Sequence, residues 1–128
     1  MVDFQLTEEQ MMIRDMAREF SEEEVLPRAE EWDREGTYPR EAITKAHELG
    51  LLNVTIPEKY GGAGMSTVDE MVICEELSRG DPGFGTASYH TMLASFPILT
   101  GGTEEQKKEY LGRVTEGKLA AYLSLIHI

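Results

Sequence analysis

Along this chain apolar residues recur at three- and four-residue spacing, and capping signals, glycines or prolines interrupt each run. Thr7-Glu8-Glu9-Gln10 reads as a capping box, in which the threonine caps a helix and the residue three further on reaches back. Met12, Ile13, Met16, Ala17, Phe20 and Val25 then form the predicted inward stripe of a long helix, with Glu22, Glu23 and Glu24 on its wet side. Pro27 forces a kink or a stop, and Ala29 and Trp32 add a further turn or two before Gly36. Tyr38-Pro39 opens a second helix with Ile43, Ala46 and Leu49 as its stripe and Gly50 just past its end. Leu51 to Ile56 is a short apolar run, closed by Pro57. Ser66 and Asp69 cap a third helix that reaches about Arg79. Its expected inward residues are Val68, Met71, Val72 and Leu77, with Asp69, Glu70, Glu75 and Glu76 mostly toward water. Thr103-Glu104-Glu105-Gln106 repeats the capping box and starts another helix, with Tyr110, Leu111 and Val114 as apolar positions and Gly117 as its end. Leu119 onward starts a strand or trails off. The pattern is all-α, a helical bundle of about five to six helices.

One stretch departs from that alternation. From Pro82 to Thr103 there is no Asp, Glu, Lys or Arg. Asp81-Pro82 is a helix start, because aspartate caps free N–H groups and proline already has helical φ. A helix over about 82–95 therefore has no face that seeks water and is expected to be the buried centre of the bundle, with Pro97 breaking or kinking it. Gly83, Gly85, Thr86, Ala87, Ser88, Ala94 and Ser95 are small, so a neighbour approaches the backbone closely. That neighbour is either another helix or a ligand. Gly, Pro, His and hydroxyl residues interrupt the stretch too often for a membrane span.

Charge narrows the partners. Asp and Glu number 24 against 12 Lys and Arg, a net charge of −12. Nucleic acid requires a basic surface, and an anionic membrane surface is disfavoured for the same reason. The 128 residues suit one domain with a real core. The single cysteine, Cys74, excludes an internal disulfide and sits in an apolar helical pattern. The first ten residues have neither a basic n-region nor an apolar run and are acid-rich, so the expected compartment is cytoplasmic.

Candidate chemistry is sparse. His47, His90 and His127 are isolated from one another and from Cys74, so no metal site is expected. Gly62-x-Gly64 and Gly83-x-Gly85 both lack the third glycine of a dinucleotide fingerprint, and turn formation is the better reading of both. No nucleophile or general base stands out. The chain reads as a helical domain that shapes a site rather than running one.

Several segments together resemble the N-terminal domain of the acyl-CoA dehydrogenases. They are Leu6-Thr7-Glu8-Glu9-Gln10 with Arg14-Asp15, Glu24-Val25-Leu26-Pro27, Glu48-Leu49-Gly50-Leu51-Leu52 and Ile56 to Gly64. Glu75-Glu76-Leu77-Ser78-Arg79, Pro97-Ile98-Leu99, Gly102 to Lys108 and Gly117 to Tyr122 follow in family order. The resemblance spans residues 4–122 and is specific as a set. It implies a helical N-terminal domain over 1–118, followed at 119–128 by the start of a missing middle β-domain or a non-native tail. It also implies a parent that binds FAD and an acyl-CoA thioester, forms tetramers or dimers, and passes electrons to electron-transferring flavoprotein. A glutamate of a later domain would take the α-proton, so no catalytic residue is expected in this chain. By the same resemblance Phe84, Gly85, Thr86 and Tyr89 would line the acyl pocket, and the bulk of Phe84 and Tyr89 suggests short or medium chains. Tyr122 would open the flavin-contacting segment.

The family continues that segment with Thr-Glu-Pro, whereas here Leu123-Ser124-Leu125-Ile126-His127-Ile128 follows. A truncated or frame-shifted reading of a longer gene is expected, with an incomplete FAD site and no catalysis by this chain alone. A stand-alone helical binding or interaction module, and the N-terminal part of an acyl-CoA oxidase, are the alternative readings.

Overall fold

The computed structural model describes Gln5 to Leu123, which form six α-helices and no strand among the described residues. Residues 124–128, and with them most of the expected non-native tail, lie outside the described range.

Local signals set the helix starts. In α1 (Glu8–Phe20) the Thr7 hydroxyl accepts from the Gln10 N–H, while the Thr7 N–H donates to the Gln10 side chain. The same reciprocal box, Ser66 with Asp69 and Thr103 with Gln106, opens α4 (Thr67–Gly80) and α6 (Glu104–Thr115). After α1 the chain widens into a π turn over Ser21–Val25, tightens to a 3-10 turn over Leu26–Arg28 and resumes as α2 (Ala29–Glu35), which ends at Gly36 with φ +63°. Pro27 thus changes the winding without ending the helical path. Then comes α3 (Arg40–Glu48), which follows Pro39 with no side-chain cap.

The charge-free helix, α5 (Pro82–Gly101), begins with Asp81 accepting from the Phe84 N–H and continues through Pro97. Proline removes one hydrogen bond, to the carbonyl of Leu93. Leu93 and Phe96 are exposed on that side of the helix.

Helix α4 packs against α1 on one side and α5 on the other, and α6 packs against α5. The main core gathers Ala17, Phe20, Val25, Ile43, Leu51, Ile73, Leu77 and Phe84. Phe84 is fully buried, stacked on Trp32 at 5.9 Å between ring centroids and tilted against Phe20 at 6.1 Å. A second cluster joins Ile56, Tyr60 and Met92 to Leu111 and Val114 of α6.

Several inward and outward expectations reverse. Met12 and Met16 are exposed, because the contact face of α1 follows Ile13, Ala17 and Phe20. Leu49 and Tyr110 are half-exposed as well. On α4, Val68 and Met71 face out, while Glu70 and Glu76 are buried. The cause is the position of α4 between two helices, which covers more than one stripe. Glu76 survives there because Arg18 of α1 donates to it at 2.5 and 3.0 Å and Arg79 at 3.0 Å. These guanidiniums hold the Glu76 carboxyl below the usual carboxylate range, the Arg18 hydrogen bonds contributing most.

Candidate functional site

The loop after α3 and the facing sides of α4 and α5 line a narrow cavity of about 20 Å³, room for about one water molecule. Its α5 wall is Gly85, Ser88, Tyr89 and Met92, which share one face at three- and four-residue spacing. Its α4 wall is Glu70, Ile73, Cys74 and Leu77, and Leu51 to Val54 close it. The helices come this close because residue 85 is glycine. A Cβ there would stand 2.0 Å from the Ser78 Oγ and 3.0 Å from the Ser78 Cα.

The four residues assigned to the acyl pocket by resemblance do not share one wall. Gly85 and Tyr89 line this pocket. Phe84 points the other way, into the core, and borders a separate groove with Trp32 and Pro82. Thr86 is exposed, and its hydroxyl donates to the Pro82 carbonyl at 2.9 Å. Tyr122 is 54% exposed and borders none of the pockets described. Two residues earlier, Ala120 is held to α5, its N–H donating to the Thr91 hydroxyl at 3.3 Å.

The pocket has a polar end that sequence reading missed. Glu70 is 8% exposed, and the Thr55 hydroxyl approaches its Oε1 at 3.4 Å, a long bond. Burial pushes the Glu70 carboxyl up from its ordinary value, and Thr55 offsets only part of this. Burial likewise raises the Tyr89 phenol, with Glu70 and then Cys74 adding to it, so Tyr89 stays a neutral O–H group. The signal for Glu70 was its phase: it lies three residues before Ile73 and seven before Leu77, on their face of α4.

The glycine-rich loop is a turn around a 3-10 segment, Glu58–Tyr60. Gly64 N–H donates to the Ile56 carbonyl at 2.9 Å, and a Cβ on Gly62 would meet that carbonyl oxygen at 1.9 Å. The described residues include no cluster of His, Cys, Asp and Glu able to hold a metal, and no helix long and apolar enough to cross a membrane.

Comparison with known proteins gives one consistent result. Residues 7–118 match the family model for the acyl-CoA dehydrogenase N-terminal domain. A probable medium-chain specific acyl-CoA dehydrogenase 2, mitochondrial, of Caenorhabditis briggsae is 43% identical over 94% of this chain and 30% of its own length. A chain from the structure of the electron transferring flavoprotein of Acidaminococcus fermentans is 41% identical with a TM-score of 0.84, over 91% of this chain and 31% of that one. The acyl-CoA dehydrogenase of Bacillus anthracis complexed with FAD is 34% identical with a TM-score of 0.82, over 93% and 21%. The chain thus spans about a third or less of these relatives.

Proposed function

We propose that this chain, which belongs to the acyl-CoA dehydrogenase family through its N-terminal domain, contributes the helical wall of an acyl pocket to an FAD-dependent parent enzyme. The observation that carries the reading is the match of residues 7–118 to the family's N-terminal domain. The parent's reaction is the α,β-dehydrogenation of an acyl-CoA thioester to the trans-2-enoyl thioester, an oxidoreductase activity. FAD supplies the electron sink there, and a later domain supplies the base. The chain's own share is to bind and orient the acyl group. Gly85 and Tyr89 on α5 face Cys74 and Leu77 on α4 across a pocket that is mostly apolar. Tyr89 stands where it limits chain length, which favours short or medium acyl groups. Phe84 acts from behind, by holding the start of α5 on Trp32.

Electron-transferring flavoprotein is the proposed acceptor, and the parent is a homo-oligomer, a tetramer or dimer. The similarity to a chain in the Acidaminococcus fermentans flavoprotein structure supports the former. The single free thiol, Cys74, fits a reducing compartment, and we place the protein in the cytoplasm.

The test is to read the gene past codon 128 and express the parent. An in-frame Thr-Glu-Pro segment and acyl-CoA-dependent bleaching of the flavin's visible absorbance are expected. A parent that binds FAD but is not bleached by short or medium acyl-CoA thioesters overturns the reading.

A further inference from the structure

Five serine and threonine side chains lie along α5, and four of them bond back to their own helix. Thr86, Ser88, Ser95 and Thr100 each donate to the carbonyl four residues earlier, at 2.9, 2.8, 2.8 and 3.0 Å. Thr91 does not. It is 3% exposed, and its hydroxyl turns away from α5 to a residue 29 positions later in the chain. There one oxygen meets both backbone groups of Ala120, accepting from the N–H at 3.3 Å and donating to the carbonyl at 3.5 Å. Both bonds are long, but together they fix a single residue from two sides.

Past α6 the backbone is tied down twice. The Lys118 N–H donates to the Arg113 carbonyl at 3.0 Å, which still closes α6, and Ala120 then bonds to Thr91. From Leu119 to Leu123 no other hydrogen bond holds the backbone among the described residues. Ala120 also packs against the cluster of Ile56, Met92 and Leu111, whereas Tyr122 and Leu123 beyond it are exposed. We propose that Thr91 is a positioning residue: it seats the exit segment on α5 and thereby sets where Tyr122 is presented to the domain that follows. This rests on the parent-enzyme reading above, in which Tyr122 opens the flavin-contacting segment, and adds the residue that aims that segment. Thr91 acts through Ala120. Without the hydroxyl, both backbone groups of Ala120 lose their partner at a half-buried site, and the segment lifts off to find water.

The test has two arms. In the 128-residue chain, NMR follows hydrogen exchange of the Ala120 amide. It is expected to exchange more slowly than the amides of Leu119 and Ala121. Thr91→Val, which keeps the branched shape and removes the hydroxyl, should speed that exchange about fivefold, the worth of one ordinary hydrogen bond. Thr91→Ser should restore the protection. Ser95→Ala removes a hydroxyl as deeply buried but bonded only within α5, and should leave the Ala120 amide as it was. In the second arm, residues 7–122 replace the matching stretch of the FAD-bound Bacillus anthracis acyl-CoA dehydrogenase, and the flavin Kd is measured by fluorescence. Thr91→Val should weaken flavin binding about fivefold, with Thr91→Ser restoring it and Ser95→Ala leaving it unchanged. An Ala120 amide that is unprotected, or unmoved by Thr91→Val, overturns the tether. A protected amide with unchanged flavin affinity overturns the positioning role and leaves the parent-enzyme reading standing. A folded chimera that binds no flavin with Thr91 in place overturns the parent-enzyme reading, and the role of Thr91 falls with it.

Discussion

The close approach of α4 and α5 makes Gly85→Ala the most informative single substitution. Gly85 is buried in the first turn of α5, where alanine is ordinarily better by up to about 1 kcal/mol. Here the added methyl would lie 2.0 Å from the Ser78 Oγ, 2.9 Å from its Cβ and 3.0 Å from its Cα. The last is backbone, so the helices must separate. Overpacking of this kind costs about 1–3 kcal/mol, and after the gain in helix propensity a net loss of up to about 2 kcal/mol remains. For a chain of this size that lowers Tm by up to roughly 8 °C. Ser78→Ala alone is nearly silent, since its hydroxyl makes only a 3.9 Å contact with the Cys74 Sγ. In the double variant the clash with the hydroxyl vanishes, but the methyl still presses on the side-chain carbon and backbone of residue 78. Partial rescue, with a coupling of about 0.5–1 kcal/mol, is therefore expected. Gly112→Ala on α6 is the control: nothing stands within 4 Å of its added Cβ, and it should stabilise by about 0.5–1 kcal/mol. Urea unfolding of the four variants and the parent chain measures all of this. A Gly85→Ala chain as stable as the Gly112→Ala chain, or no coupling to Ser78, would refute the reasoning.

Three further outcomes follow from the same geometry. Phe84→Ala removes a ring that is fully buried against Trp32 and Phe20 and should cost about 3–5 kcal/mol in urea unfolding; a loss under about 1 kcal/mol would place Phe84 outside the core. Glu76 is held below its ordinary pKa by Arg18 and Arg79, so its contribution is fully present above the unfolded carboxylate value and is lost as pH falls through the lower folded one. Glu76→Gln should thus lower the urea midpoint at neutral pH, with the deficit shrinking in acid; a deficit independent of pH would exclude the ion pair as its cause. Tyr89→Ala in a flavin-bearing parent should shift preference toward longer acyl chains, read as kcat/KM across a thioester series, and an unchanged order would remove Tyr89 from the pocket.

What was legible beforehand is what depends on neighbours in the chain. The capping boxes at Thr7, Ser66 and Thr103 are three-residue events, and the helix ends at Gly36, Gly50 and Gly117 each carry positive φ. For α5 the run without charge was a half-true guide: Phe84, Gly85, Ser88, Thr91, Met92 and Ser95 are buried, whereas Thr86, His90, Leu93 and Phe96 lie exposed on its other face. The phase of α4 was not legible. Val68 and Met71 look like core residues and Glu70 and Glu76 like surface ones, until α1 and α5 are set on either side. Arg18, which makes Glu76 tolerable, lies 58 residues away. The continuation of α5 through Pro97 was not legible either. For the residues assigned to the site by resemblance, Gly85 and Tyr89 face the cavity between α4 and α5, Phe84 the core and Thr86 solvent in this chain. Glu70 lay outside that resemblance and emerged only from the geometry.

The most direct test grafts residues 7–118 in place of the matching domain of the FAD-bound Bacillus anthracis acyl-CoA dehydrogenase. Flavin bleaching on addition of an acyl-CoA thioester is then recorded under anaerobic conditions. If these helices form the wall of an acyl pocket, the chimera bleaches, and its preference among chain lengths moves when Tyr89 is changed. A chimera that folds and holds its flavin, yet bleaches with no acyl-CoA thioester, would contradict the account.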